Sequence, residues 1–121
     1  MFSWDTTLAE ALPEELASTM DPGHRATTLA ILTSHFSEID ETWVLNASFV
    51  EELYNPELPP SEGRLEVVRR ELSQPPVSTP NTTWLYSNTN YMLVGLIVGL
   101  QTNSTWENQM QARLFTPLNM S

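Results

Sequence analysis

Ten consecutive residues, Tyr91-Met92-Leu93-Val94-Gly95-Leu96-Ile97-Val98-Gly99-Leu100, carry no charge and almost no polar side chain. Ten are too few to cross a bilayer, which takes about 20. A helix apolar on every side is buried instead, so the run predicts a central helix around which the chain packs. Gly95 and Gly99, four apart, share one face and predict close approach by another element. Just before the run stand Tyr86, Ser87 and Asn88. A helix N-terminus presents unpaired N–H groups and the positive end of its dipole. A Tyr-x-Asn there aims a phenol and an amide at one reacting group. The plainer reading of the same residues is an aromatic anchor followed by an N-cap.

The rest reads as short helices joined by Pro-rich loops, with little strand. Leu8, Leu12 and Leu16 fall on one helical face, interrupted by Pro13. Asp21-Pro22-Gly23 signals a turn, and Thr27 or Thr28 caps a short helix with Leu29, Leu32 and Phe36 inward. A further short helix is predicted over Ala47 to Tyr54. The adjacent Glu51 and Glu52 on it point apart, which makes a solvated face rather than an acid–base pair. Glu62 to Ser73 predicts a helix with Leu65, Val68 and Leu72 on one face and Glu66–Arg70 as an i,i+4 pair. Pro75 to Pro80 is expected to be extended and rigid. Ser104-Thr105-Trp106-Glu107 reads as a capping box. It opens a last helix whose Trp106, Met110 and Leu114 form a core stripe, closed by Pro117.

Charge separates the halves. Fifteen acids face five arginines and no lysine, for a net charge of −10, and only Glu107 of the acids lies beyond residue 71. That balance argues against nucleic acid, whose binding rests on Lys and Arg at phosphates, and against anionic membrane surfaces. The nearly uncharged second half is expected to be packed material with a polar lip. His24 and His35 are the only histidines and cysteine is absent, so neither a metal site nor a cofactor is expected. Four sequons, at Asn46, Asn81, Asn103 and Asn119, mark glycan acceptors on surface loops. They point to a secreted parent protein, although Met1-Phe2-Ser3-Trp4-Asp5 lacks the basic start and apolar core of a signal peptide.

Three ordered stretches carry a family resemblance. Pro80-Asn81-Thr82-Thr83-Trp84-Leu85-Tyr86-Ser87-Asn88 is similar to the Pro-Gly-Thr-x-(aromatic)-x-Tyr-Ser-Asn of the serine β-lactamase and penicillin-binding-protein-like family, in its class C and esterase branch. Thr28 to Glu38 resembles that family's (Thr)-Leu-x-x-Leu-Leu-(Thr/Ser)-His-x-Ser-Gly, with Glu38 in place of the glycine. Arg113-Leu114-Phe115-Thr116-Pro117-Leu118-Asn119-Met120 resembles (Arg)-(Ile/Leu)-Phe-x-Pro-Leu-Gly-Met. Glycine at such places serves a turn with φ > 0, which glutamate adopts with strain and asparagine more readily.

The family domain is much longer than 121 residues. The resemblance therefore implies a mainly α chain: the helical middle portion of a β-lactamase/transpeptidase-like α/β fold, truncated at both ends. It implies that Tyr86 shuttles protons, that Asn88 holds the substrate, and that His35 is structural. The parent reaction is acyl transfer through a serine ester, on β-lactams, esters or peptides. A serine hydroxyl needs a base to become nucleophilic, and a phenol with a pKa of about 10 needs nearby cations to act as one. The family's Ser-x-x-Lys and Lys-Thr-Gly both require lysine, which this chain lacks. The expectation is thus a serine-hydrolase fragment inactive alone, meeting a small acyl substrate only when missing segments complete it, and prone to self-association. The alternatives are a non-catalytic binding remnant of the same family and an unrelated helical interaction module.

Overall fold

The computed structural model describes residues 2–43, 51 and 57–120. Pro13 divides the leucine-spaced segment into α1 (Leu8–Ala11) and α2 (Glu14–Ala17), since proline has no N–H to donate and clashes with the preceding turn. The periodicity survives the break, because Leu8, Leu12 and Leu16 are all buried. At the start of α1 the Glu10 carboxylate accepts the Thr7 backbone N–H at 2.8 Å and the Thr7 hydroxyl at 2.9 Å. These bonds hold its pKa below the ordinary carboxylate value. The cap of α3 (Leu29–Thr33) is Thr28, whose hydroxyl accepts the Ile31 N–H at 3.3 Å. Bonds from Leu8 N–H to the Thr27 carbonyl (2.8 Å) and from Leu29 N–H to the Thr6 carbonyl (3.0 Å) lace the two helix starts around an isolated Thr7–Thr28 bridge.

The end of α3 is closed by a left-handed residue that is not glycine. After α3, His35 (φ 63°) donates its N–H to the Leu32 carbonyl at 3.2 Å and Phe36 donates to Ile31 at 3.1 Å, the paired bonds of a Schellman turn. Leu32 is fully buried there, while Leu29 and Phe36 are half-buried.

Pro60 opens α4 (Pro60–Leu72) in the first turn, where a missing N–H has no intrahelical partner to lose. Val67, Val68 and Leu72 are buried, and Glu66 takes Arg70 at 2.7 Å and Arg69 at 3.2 Å on the outer face. α5 (Asn88–Thr102) packs on α4 and α3. Its Leu93 and Ile97 join Leu8, Leu12, Leu16, Leu32 and Val68 in one core. The apolar run is not buried all round, as expected from its composition, because Tyr91 stays 55% and Leu100 43% exposed. α3 and α4 cover one flank. The other faces an apolar groove of about 480 Å³ whose walls include Phe2, Trp4, Val98 and Trp106.

The glycines of α5 serve close approach. A Cβ on Gly99 would come within 3.1 Å of the Ser104 carbonyl oxygen, and one on Gly95 within 3.7 Å of both Arg64 and Trp106. α5 stops at Asn103 (φ 47°), with Ser104 N–H returned to Gly99 at 3.1 Å. α6 (Trp106–Met110) begins one residue later than the capping-box reading, because the Thr105 hydroxyl accepts the Asn108 N–H at 3.1 Å. Glu107 is thereby free to grip Arg64 of α4 through both oxygens, at 2.8 and 2.9 Å. The guanidinium holds its carboxyl below the usual range.

A π-helical turn, Gln111–Phe115, continues α6, and no residue of either is buried. The expected Trp106–Met110–Leu114 core stripe is therefore corrected: these side chains line the groove. The second half is packed only as far as Ile97. The helix predicted over residues 47–54 lies outside the described residues except for Glu51, which is exposed. No helix among the described residues is long and apolar enough to cross a membrane.

Candidate active site

Three backbone bonds join the loop before α5 to the turn after α3. Val77 N–H reaches the Glu38 carbonyl at 3.1 Å, Asn81 N–H reaches Phe36 at 2.7 Å, and Leu85 N–H reaches His35 at 2.8 Å. The Pro75–Pro80 stretch bends rather than running straight as predicted, with Val77 and Ser78 both at bends. Glu38 has φ 60°, Asn81 φ 69° and Asn119 φ 54°, so all three positions where the family pattern has glycine are left-handed. At Glu38 the cost of that conformation is offset locally. Its buried carboxylate accepts the Thr83 N–H at 2.9 Å, tying the loop to the turn.

His35 is the floor of the site. Its Nδ1 accepts the Ser87 N–H at 3.3 Å and lies 3.1 Å from the Asn90 side-chain amide. The buried Ser37 hydroxyl donates to Asn90 Oδ1 at 2.6 Å, which turns the amide nitrogen of Asn90 toward the ring. An Nδ1 that accepts carries no proton, so His35 is the Nε2–H tautomer. Its lone pair is committed to the loop, consistent with a structural histidine rather than a base. The ring centroids of Tyr86, Tyr91 and Trp84 lie 4.7, 5.5 and 6.1 Å from that of His35.

On this floor the Tyr86 hydroxyl donates to Asn88 Oδ1 at 3.1 Å. Asn88 is the first residue of α5, and Glu41 takes both of its kinds of donor. The backbone N–H goes to Oε2 at 2.6 Å and the side-chain amide to Oε1 at 3.2 Å. Glu41 thus orients the Asn88 carbonyl toward the phenol. Tyr86 and Asn88 are solvent-exposed. Ser87 between them is fully buried with its hydroxyl unpartnered, so it faces away from any substrate.

The structure therefore brings Tyr86 and Asn88 together and places Asn81 on the loop leading to them. Asn103 and Asn119 sit at exposed turns elsewhere, and Asn46 lies outside the described residues. Sequence reasoning missed Ser37, Asn90 and Glu41. The His-x-Ser pattern held a signal for Ser37, whereas nothing in the sequence marks Glu41, whose partner is 47 residues away. His24 is buried apart from the site, its Nε2 3.0 Å from the Gln74 carbonyl. Among the described residues no group of three or more His, Asp or Glu side chains is placed to hold a metal.

The family model described as Beta-lactamase matches residues 1–121. Among solved structures, a D-stereospecific amidohydrolase from Streptomyces sp. is similar, with a TM-score of 0.71 and 25% identity. The match covers 98% of this chain and 35% of the amidohydrolase chain. No curated protein matches.

Proposed function

The chain belongs to the beta-lactamase family, and from that premise we propose that it is the helical part of a serine acyl-transfer domain. It supplies Tyr86 and Asn88 to a site whose nucleophile lies on sequence other than residues 1–121. The observation that carries this reading is the exposed Tyr86–Asn88 pair at 3.1 Å, held at the start of α5. The attacking serine forms a bond from its oxygen to the acyl carbon. Tyr86, as the phenolate that lysines of the completing segments would stabilise, takes the serine proton and gives it to the leaving amine or alkoxide as the bond from the acyl carbon to that group breaks. Asn88 keeps a second amide hydrogen for the substrate's carbonyl. Likeness to the amidohydrolase favours an amide among the amide, ester and β-lactam substrates.

Alone, the chain is catalytically silent. No lysine is present to stabilise a phenolate, and the serine of the motif is buried. A second reading, a non-catalytic binding remnant, draws support from Glu41 already holding two Asn88 donors.

The test has two arms. Incubated with a nitrophenyl ester and a chromogenic β-lactam, the chain should show neither turnover nor an acyl adduct by intact mass. Joined in frame to the Ser-x-x-Lys and Lys-Thr-Gly segments of an active family member, it should hydrolyse the ester, and Tyr86→Phe should slow this by about 100-fold or more. Turnover by the chain alone, or turnover indifferent to Tyr86→Phe, would overturn the proposal.

A further inference from the structure

Between α2, α4 and the second half of α5 lies a cleft of about 610 Å³, lined by other residues of α5 than those that line the apolar groove. Small-molecule sites occupy about 300–1,000 Å³, so the cleft is of ligand size. Gly95 and Gly99 put no side chain into it, which leaves the backbone of α5 as part of its floor. Leu96, Leu100 and Trp106 supply apolar surface, with Leu100 still 43% exposed. The exposed Glu15 and Glu62 bring carboxylates to the rim.

A further lining residue is Asn103, which opens the sequon Asn103-Ser104-Thr105. It is exposed, at φ 47°, in the turn that ends α5. An acceptor amide thus stands in the wall of a cavity. A pyranose ring has the matching chemistry, an apolar face of C–H bonds edged by hydroxyls. The face packs on Leu96, Leu100 and Trp106, and the hydroxyls donate to the Glu15 and Glu62 carboxylates in charge-assisted bonds. An open cleft holds a free sugar weakly. A sugar tied to the wall acts at a millimolar effective concentration, so weak contacts suffice to seat it.

We propose that Asn103 is a glycan attachment site whose first sugar lies in this cleft and covers the exposed end of the apolar run of α5. The step is a substitution, carried out by a secretory transferase on a lipid-pyrophosphate-linked oligosaccharide. A bond forms from Asn103 Nδ2 to C1 of the sugar. The C1–O bond to pyrophosphate breaks, its electron pair leaves with the lipid pyrophosphate, and one amide hydrogen departs as a proton. The attached sugar is then a packed part of the fold.

The test uses the full chain behind a signal peptide in a eukaryotic secretory host, with Ser48→Ala, Thr83→Ala and Ser121→Ala removing the other three sequons. Intact mass should show one glycan. An endoglycosidase trims it to the first sugar, and the product is compared with the same sequence made in bacteria. Amides of residues 99–106 should exchange about fivefold more slowly in the sugar-bearing chain, the scale of one net hydrogen bond. Nuclear Overhauser contacts should join sugar ring protons to the Leu96 and Leu100 methyls. Leu100→Gln, at an exposed position, should remove the protection while occupancy stays unchanged. An unmodified Asn103 would overturn the proposal. So would a sugar that leaves exchange unaltered and touches neither methyl, or protection that persists in full in Leu100→Gln.

Discussion

Glu38 and Thr83 hold one another across 45 residues of sequence: the Glu38 carboxylate accepts the Thr83 N–H at 2.9 Å while its own backbone sits at φ 60°. The residue that pays strain at the turn after α3 is thus the one that pins the loop leading to Tyr86. Two substitutions separate these effects. Glu38→Ala keeps the strained φ and loses a bond to a charged acceptor, worth about 1.5–3 kcal/mol. Glu38→Gly loses the same bond but relieves the left-handed strain, worth about 1 kcal/mol. Hydrogen exchange at the Thr83 amide should accelerate in both, with global stability falling less in Glu38→Gly. An unchanged Thr83 amide would mean that the backbone bonds of Asn81 and Leu85 suffice.

His24 makes the fold sensitive to mild acid. Burial pushes its pKa below the ordinary 6.5, against smaller opposing effects of the Gln74 carbonyl bond and the Asp21 charge. The neutral ring is the folded form, donating Nε2–H to Gln74 while Nδ1 stays unpartnered. Below 6.5 the unfolded chain binds a proton at this ring that the folded one does not. Stability is therefore fully present above about pH 6.5 and is lost as pH falls toward the lowered folded value, by about 1.4 kcal/mol per unit of pKa difference. Denaturant midpoints across that window should slope, and His24→Gln should flatten the slope. A slope equal in both proteins would reassign it to the carboxylates.

Asn81, Asn103 and Asn119 share exposure and a left-handed backbone at turns, with φ of 69°, 47° and 54°. All three begin sequons. Projecting turn positions leave room for a glycan without displacing packed side chains. Expressed behind a signal peptide in a eukaryotic secretory host, the chain should carry glycan on at least one of them, and mobility should shift after glycosidase treatment. Asn→Gln at each would assign the sites. A chain that passes through secretion unmodified would remove the sequons as an argument for a secreted parent.

How much of this was legible follows from which interactions are local. Leu8, Leu12 and Leu16 declared the core face because periodicity is a property of neighbours, and Pro13 declared the break. The Tyr-x-Asn at the start of α5 and the two glycines of that helix were readable for the same reason. Thr105 rather than Ser104 caps α6, and Glu107, the expected capping-box partner, pairs instead with Arg64, which lies 43 residues away and beyond any local pattern. Glu41 was invisible because its role depends on the return of the loop across His35. The apolar run misled most. Composition says that such a helix wants cover on every side, but not whether these residues supply it.

That unmet need gives the last prediction. The outer flank of α5 meets a groove of about 480 Å³ lined by Phe2, Trp4, Val98, Trp106, Met110 and Leu114. Trp4 is 68% exposed. Apolar patches of this kind drive association, at roughly 25 cal/mol per Å² buried. Opposing it is the net charge of −10, which repels a second copy until salt screens it. The Debye length falls from about 30 Å at 0.01 M to about 8 Å at 0.15 M. The isolated chain should therefore bind hydrophobic dyes and should self-associate more as salt rises, the reverse of an ion-paired interface. Light scattering across a salt series would read this, and Trp4→Glu or Leu114→Glu should return the chain toward monomer. A sharp monomer at all salt concentrations with no dye signal would show that α3, α4 and α6 cover α5 well enough on their own.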